Sequence, residues 1–294
     1  MASSNPAFNN PAFQERRGGG VGLTPPAAHA PVDAAAQATL EGAYAAPSAG
    51  AVDTGRMTVE DTVHKTLALF GILLVGAVAG WLWTMSPVTA TNPAPSMAPW
   101  LIGALGGFVL SLVVIFTSRK TVRPALIFAY AAFEGLFVGG ISAYFEYIWP
   151  GIVLQATLAT VAVVGVTLAL FASGKVRASA KATKIFMIAM FGYLAFSLIN
   201  VVLMMFGVFN DQNGGAFGIY SMQVAGIPLG LIIGVVVVIM AAYSLVLDFD
   251  QIQQGVRNGA PRKFGWLGGF GIMVTVVWLY LEILRMLAIL RGNN

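Results

Sequence analysis

Seven apolar runs set what this chain can become: about 66–85, 100–117, 124–148, 151–172, 185–207, 225–247 and 264–290. Each comes close to the ~20 residues that a helix needs to cross ~30 Å of hydrocarbon at about 1.5 Å per residue. In lipid, every backbone N–H and C=O must find a partner inside the structure, so separate runs of this length fold as helices. The expected fold class is all-α, a polytopic membrane protein with seven transmembrane helices. Composition agrees. Charged residues make up 10% of the chain and the mean hydropathy is +0.80, against about 25% charged residues in soluble domains. Soluble-enzyme classes drop out at this point.

The first 57 residues are different. They are rich in Ala, Pro, Gly and Ser, with few large apolar side chains. Such a segment cannot bury enough surface to offset its chain entropy, so 1–57 is expected to be a disordered cytoplasmic tail preceding a membrane domain at 58–294. It has no basic stretch followed by an apolar core, hence no cleaved signal peptide is expected. A short repeat, Asn5-Pro6-Ala7-Phe8 and Asn10-Pro11-Ala12-Phe13, reads as a low-complexity echo. Thr58-Val59-Glu60-Asp61 has the pattern of a helix N-cap with acids at the positive helix end.

Charge in the connections alternates. Arg119, Lys120 and Arg123 fill the second loop; Lys175, Arg177, Lys181 and Lys184 the fourth; Arg257, Arg262 and Lys263 the sixth. The first, third and fifth loops hold no Lys or Arg. Ten basic residues on one side against none on the other place the N-terminus and the even loops in the cytoplasm, with the C-terminus outside. The expected location is a membrane, crossed several times, with the lipid bilayer as principal partner. The net charge of +4 follows from this topology and gives no reason to invoke nucleic acid. Pairs of small residues four apart (Gly76/Gly80, Gly103/Gly107, Gly135/Gly139 and Gly226/Gly230/Gly234) predict close helix packing. Pro228 predicts a kink near the start of the sixth span.

Against this background the acids stand out. Glu134, Glu146, Asp248, Asp250 and Glu282 lie in or at the edge of apolar runs, while Asp211 sits in a loop. A carboxylate at the bilayer centre costs roughly 2.5–3.5 kcal/mol on insertion scales, so it is a functional-site hypothesis by default. Across Gly271–Leu290, eleven Leu, Ile or Val residues contribute about −3 to −7 kcal/mol, while Glu282 and Arg285 unpaired cost about +5 to +7. This helix should therefore be enclosed by the others. Glu282 should face the interior and Arg285, three residues on, is its expected charge partner. The sixth helix should run past its acids to about residue 257, since Asn258-Gly259 and Pro261 are the stop signals. Asp248 is then mid-helix and Asp250 on another face. Glu134 falls near the midplane, with Asn200 and Ser197 of the fifth span as expected partners. Glu146, beside Tyr147 and Trp149, reads as an interfacial, solvated acid.

Three stretches carry a family resemblance: Glu134-Gly135-Leu136-Phe137-Val138-Gly139-Gly140-Ile141-Ser142, Val246-Leu247-Asp248-Phe249-Asp250-Gln251-Ile252, and Leu279-Tyr280-Leu281-Glu282-Ile283. In order and placement they resemble the transmembrane Bax-inhibitor-motif family, in particular its bacterial members with a long N-terminal tail, over roughly 60–290, which implies a bacterial inner membrane. The resemblance implies six helices around a central seventh, and a pH-sensitive calcium leak. It also implies that Asp248 and Glu282 hydrogen-bond and share a proton in the closed state. Adjacent carboxylates cannot both ionise easily, and oxygen ligands suit Ca²⁺. For the two to meet, residues 258–270 must lie along the interface, with Gly265, Gly268, Gly269 and Gly271 breaking the helix and Gly271–Leu290 alone spanning.

The leading expectation is a pH-gated Ca²⁺ leak lined by Glu282, Asp248 and Glu134, with Arg285 as charge partner and Asn200 and Asp250 as secondary polar candidates. Ca²⁺ is the transported ion, with Asp248 and Glu282 as its possible ligands; no resident metal or other cofactor is expected. The alternative is a non-channel regulator of membrane-protein quality control or stress response. It would act through a membrane protease or stress-response partner, as some bacterial relatives are thought to modulate a membrane-bound AAA protease. An enzyme is not expected: His-Glu-x-x-His, Gly-x-Ser-x-Gly and Gly-x-Gly-Asp are missing, as is a Lys in the seventh span for a retinal Schiff base. Cysteine is absent and only His29 and His64 are present, which argues against a thiolate or histidine metal centre.

Overall fold

The computed structural model describes residues 55–209 and 215–292. The expected tail falls almost wholly on 1–54, outside the described residues, as do the Asn-Pro-Ala-Phe repeat and Asp211. Seven long helices follow in order: α1 Val59–Met85, α2 Ala98–Ser118, α3 Pro124–Ile148, α4 Ile152–Ala172, α5 Ala180–Met205, α6 Leu229–Arg257 and α7 Phe264–Gly292. All seven are long and apolar enough to cross a membrane. This is a multi-pass all-α membrane protein.

Local chemistry sets the helix ends. Thr58 caps α1, its hydroxyl accepting from Asp61 N at 3.1 Å, so the helix begins well before the apolar run at 66. Ser179 does the same for α5 through Ala182 N at 3.2 Å. Before α6 the chain makes a small antiparallel hairpin of β1 Gln223–Val224 and β2 Ile227–Pro228. Its two turn residues, Ala225 and Gly226, have φ of 53° and 81°, the left-handed pair that a tight hairpin turn demands. This corrects two expectations. Pro228 kinks nothing, because it precedes the first residue of α6 as its cap. Gly226 belongs to the turn and not to a packing stripe.

The other small-residue pairs pack as their spacing predicts. Gly76 and Gly80 of α1 lie against the backbone of Ala132 and Leu136 in α3, and Gly135 and Gly139 answer from α3 against Leu73 and Ala77. A Cβ at any of the four would run into main-chain oxygen, so the two helices cross at backbone contact. On the other side of α3, Gly103 of α2 abuts Phe137.

α7 is the most deeply buried helix and packs against α1, α3, α4 and α6. Its expected break at 258–270 does not occur. Phe264–Gly292 is one uninterrupted helix, and the turn from α6 is confined to Asn258–Lys263. The reason is that breaking a helix at membrane depth strands backbone groups. Gly265, Gly268 and Gly269 instead leave room for Thr62, Lys65 and Thr66 of α1 and for Ile252 of α6. Large apolar side chains such as Leu74, Leu105, Leu158, Ile188 and Ile239 cover the outer surface, where lipid would meet them.

Candidate functional site

The two principal acids are held at different depths along the α6–α7 interface. Asp248 is fully buried, and its Oδ2 accepts a 2.6 Å hydrogen bond from Thr275 Oγ1 of α7. The pairing follows from counting: Asp248 lies ten residues before Asn258, and Thr275 eleven after Phe264, so equal lengths of helix bring them level. Gln251, one turn on, is buried beside this centre. Asp250 points elsewhere, as its spacing predicts, and accepts from Gln254 Nε2 at 2.8 Å.

Glu282, 4% exposed, forms the second centre. Arg285 donates to its Oε1, which is the expected one-turn ion pair. Tyr193 Oη of α5 donates to Oε2 at 3.0 Å. The guanidinium then lies 3.8 Å over the ring of Tyr220, in the 3₁₀ segment Gly215–Ser221 that follows α5. Tyr220 Oη is 2.8 Å from Ser197 Oγ. Asn200 fastens that segment: its Oδ1 accepts from Ile219 N at 2.7 Å and its Nδ2 donates to Phe217 O at 3.3 Å. A continuous polar chain, Tyr193–Glu282–Arg285–Tyr220–Ser197, thus crosses the end of the bundle opposite the α6–α7 turn. A buried ion pair this enclosed survives only with such added partners, because each charge has lost its water.

Thr275 and Glu282 are seven residues apart on α7, which is two turns or about 10 Å. Glu282 Oε1 also points toward Gly234, 3.3 Å from where a Cβ on that residue would stand. Gly234 is fourteen residues from Asp248 along α6, about 21 Å of rise. The carboxylates are thus directed to separate partners rather than to each other.

Glu134 belongs to neither centre. It sits on α3 with Gly107 of α2 beside Oε2, one turn after Tyr130 on the same helix. Its expected partners, Asn200 and Ser197, are engaged with the 3₁₀ segment, because α3 packs on α1 and α2. Glu146, expected to be solvated, caps α4: it accepts from Gly151 N at 2.6 Å and Val153 N at 3.0 Å. A carboxylate there answers the positive end of the helix.

A further cluster, at the α6–α7 turn, escaped the sequence reading. Asp61 of α1 takes Arg262 at 2.8 Å and Lys65, and Lys65 Nζ also donates to Arg262 O at 2.6 Å. The paired Asp61 carboxylate holds the Arg262 guanidinium above its ordinary range. The strand-like residues before α1 join in, with Met57 N bonded to Ala260 O at 2.7 Å and Arg262 N to Gly55 O at 2.8 Å. The chain leading into α1 is therefore tied to the turn that leads into α7. Tyr193, Tyr220 and Thr275 were missed likewise. Their only sequence signal is a hydroxyl inside or near an apolar run.

Comparison with curated proteins returned no match, and neither did comparison with solved structures. A family profile described as Bax inhibitor 1 like matches residues 5–292, nearly the whole chain. With the three motifs lying on the helices that carry the buried acids, the chain belongs to the Bax inhibitor 1 like family.

Proposed function

We propose that this protein is a pH-sensitive cation leak with Ca²⁺ as its cargo, gated where α6 and α7 carry their buried acids. One observation supports the reading above others: two carboxylates, Asp248 of α6 and Glu282 of α7, lie at successive depths along the α6–α7 interface, each held by its own hydrogen-bond partners. Acids inside a bilayer are costly and mark ion or proton pathways. In the closed state Arg285 offsets the charge of Glu282, Tyr193 donates to it, and Thr275 donates to Asp248 Oδ2. Conduction requires these partners to release oxygen ligands to a passing cation. Adding a proton to Glu282 removes its attraction for Arg285, which makes that pair the pH-dependent element. Glu134, between α2 and α3, is peripheral to this path. The orientation follows the loop charges: N-terminus and even loops in the cytoplasm of a bacterial inner membrane, C-terminus outside. The role is transport, with no bond-making chemistry. The test is Ca²⁺ flux into dye-loaded proteoliposomes across a pH series. Glu282→Gln should abolish the pH dependence; a mutant that titrates like the wild type would sink the proposal.

A second reading is a non-channel regulator that engages a membrane protease or stress-response partner. The tie between Gly55–Met57 and Ala260–Arg262 favours it, since a partner pulling on the preceding 54 residues would act on α7 directly. Deleting residues 1–54 separates the two: unchanged flux with lost partner co-purification supports the regulator.

A further inference from the structure

A groove of about 520 Å³ opens between α1 and α4, away from both acid centres. Val138 and Ser142 of α3 with Val276 and Tyr280 of α7 form its floor. Leu74, Val78 and Leu82 of α1 and Val161 of α4 form its rim, each 60–64% exposed. All four helices are membrane spans, so the rim faces hydrocarbon and the groove is a sideways extension of the lipid-facing surface.

What fills it is set by its chemistry. Water held in a cavity needs two to four polar partners. The hydroxyls that reach this groove are already bonded within the protein. Ser142 Oγ and Tyr280 Oη are 2.6 Å apart, Thr157 Oγ1 donates to Val153 O at 2.8 Å, and Thr160 Oγ1 to Ala156 O at 2.7 Å. Left empty, the groove would deprive its lining of dispersion contacts on one side. Hydrocarbon chains are available at the open side, and they need no hydrogen bonds.

We propose that this groove is a binding site for one acyl chain of a bilayer phospholipid, inserted between α1 and α4 as far as Val276 and Tyr280. The chain thereby touches α7 two residues before Glu282. A lipid resident there contacts the most buried helix of the bundle.

The experiment uses the full-length protein reconstituted with phospholipid carrying a photoactivatable diazirine in its acyl chain. Labelled residues are mapped by mass spectrometry. Label is expected on Val276, Ser142 and Tyr280; the last two are 4% and 9% exposed, beyond reach of lipid that merely coats the surface. Val78→Trp combined with Val161→Trp fills the mouth with two lipid-facing side chains and should leave thermal unfolding unchanged. With the mouth occupied by indole, labelling of the floor should be lost, while exposed Leu158 keeps its label. Should that variant fail to fold, Thr157→Trp on the α4 wall gives the same readout. Label confined to exposed positions in the wild type, or undiminished at the floor in the plugged protein, overturns the proposal. So does a water-filled groove, detected as reaction of a Val276→Cys variant of this cysteine-free chain with a membrane-impermeant thiol reagent.

Discussion

Removing Arg285 should cost more stability than removing both members of its ion pair. The Glu282 side chain is 3% exposed and the Arg285 side chain 18%. Arg285→Met leaves a buried carboxylate with Tyr193 as donor, which should cost about 3 kcal/mol, at the lower end for an unpaired buried charge because the acid can take up a proton. Glu282→Leu strands the guanidinium instead. Its partial exposure and the Tyr220 face beneath it soften the loss to about 2 kcal/mol. The double variant removes both charges and leaves the Tyr193 hydroxyl without its acceptor, a deficit of about 1–2 kcal/mol. The coupling energy should therefore be about 3–4 kcal/mol. It is measured by unfolding the four proteins with increasing dodecyl sulfate in mixed micelles, followed by far-ultraviolet circular dichroism. A coupling below about 0.5 kcal/mol would refute the idea that the two groups stabilise each other inside the bundle.

Two further outcomes follow from the termini of the helices. Glu146→Ala removes the carboxylate that caps α4 and should lower stability by about 1 kcal/mol, with faster amide exchange at Gly151 and Val153 while the other helix ends are unchanged. Arg262→Ala should loosen the α1–α7 tie by an amount that shrinks in about 1 M salt, where the Debye length is about 3 Å. Because Asp61 raises the Arg262 pKa, that arginine's contribution is complete below the ordinary arginine range and fades only as pH climbs through the raised value. Amide exchange at Met57 and Arg262 should therefore show no Arg262-linked change in tie strength through the neutral range.

How legible this was from sequence depends on the range of each interaction. Thr58 as the α1 cap, the end of α6 at Arg257, and the Glu282–Arg285 pair all rest on residues within four positions of each other, where helix geometry fixes who meets whom. The Gly76/Gly80 and Gly135/Gly139 pairs were readable as contact faces, but nothing in their spacing says that they face each other. Glu134 shows the consequence. Once α3 is committed to α1 and α2 through those glycines, its acid points at Gly107 and cannot reach α5. The partners of Glu282 were out of reach for a different reason. Tyr193 is 89 residues away in sequence. Tyr220 arrives only because the segment after α5 folds back into the bundle, held by Asn200. The groove has no sequence signature at all, since it is a deficit of packing between four otherwise ordinary apolar faces.

Depth along α7 also constrains how the proposed gating works. For the Asp248 and Glu282 carboxylates to share a proton directly, α7 would have to slide by about two turns, some 10 Å, relative to α6. Helix shifts in switching proteins are more often 1–2 Å, and a full ratchet is one turn, about 5.4 Å. Here the slide is resisted at both ends of the pair. Gly268 is seated against Ile252 near the short turn Asn258–Lys263, and Ile289 against Gly230 at the far end. The Asp61–Arg262 tie anchors the same turn to α1. A small rotation or tilt of α7 displaces these contacts far less than a slide of about 10 Å. It can withdraw Thr275 from Asp248 and Glu282 from Tyr193 in one movement, because Thr275 and Glu282 ride on α7 while Asp248 stays on α6 and Tyr193 on α5; the Glu282–Arg285 pair moves as a unit. Under the proposed function, the two acids would then be successive gates opened by one helix. A variant impaired at either acid should alter flux, and the two changes together should be less than additive, because one helix movement releases both.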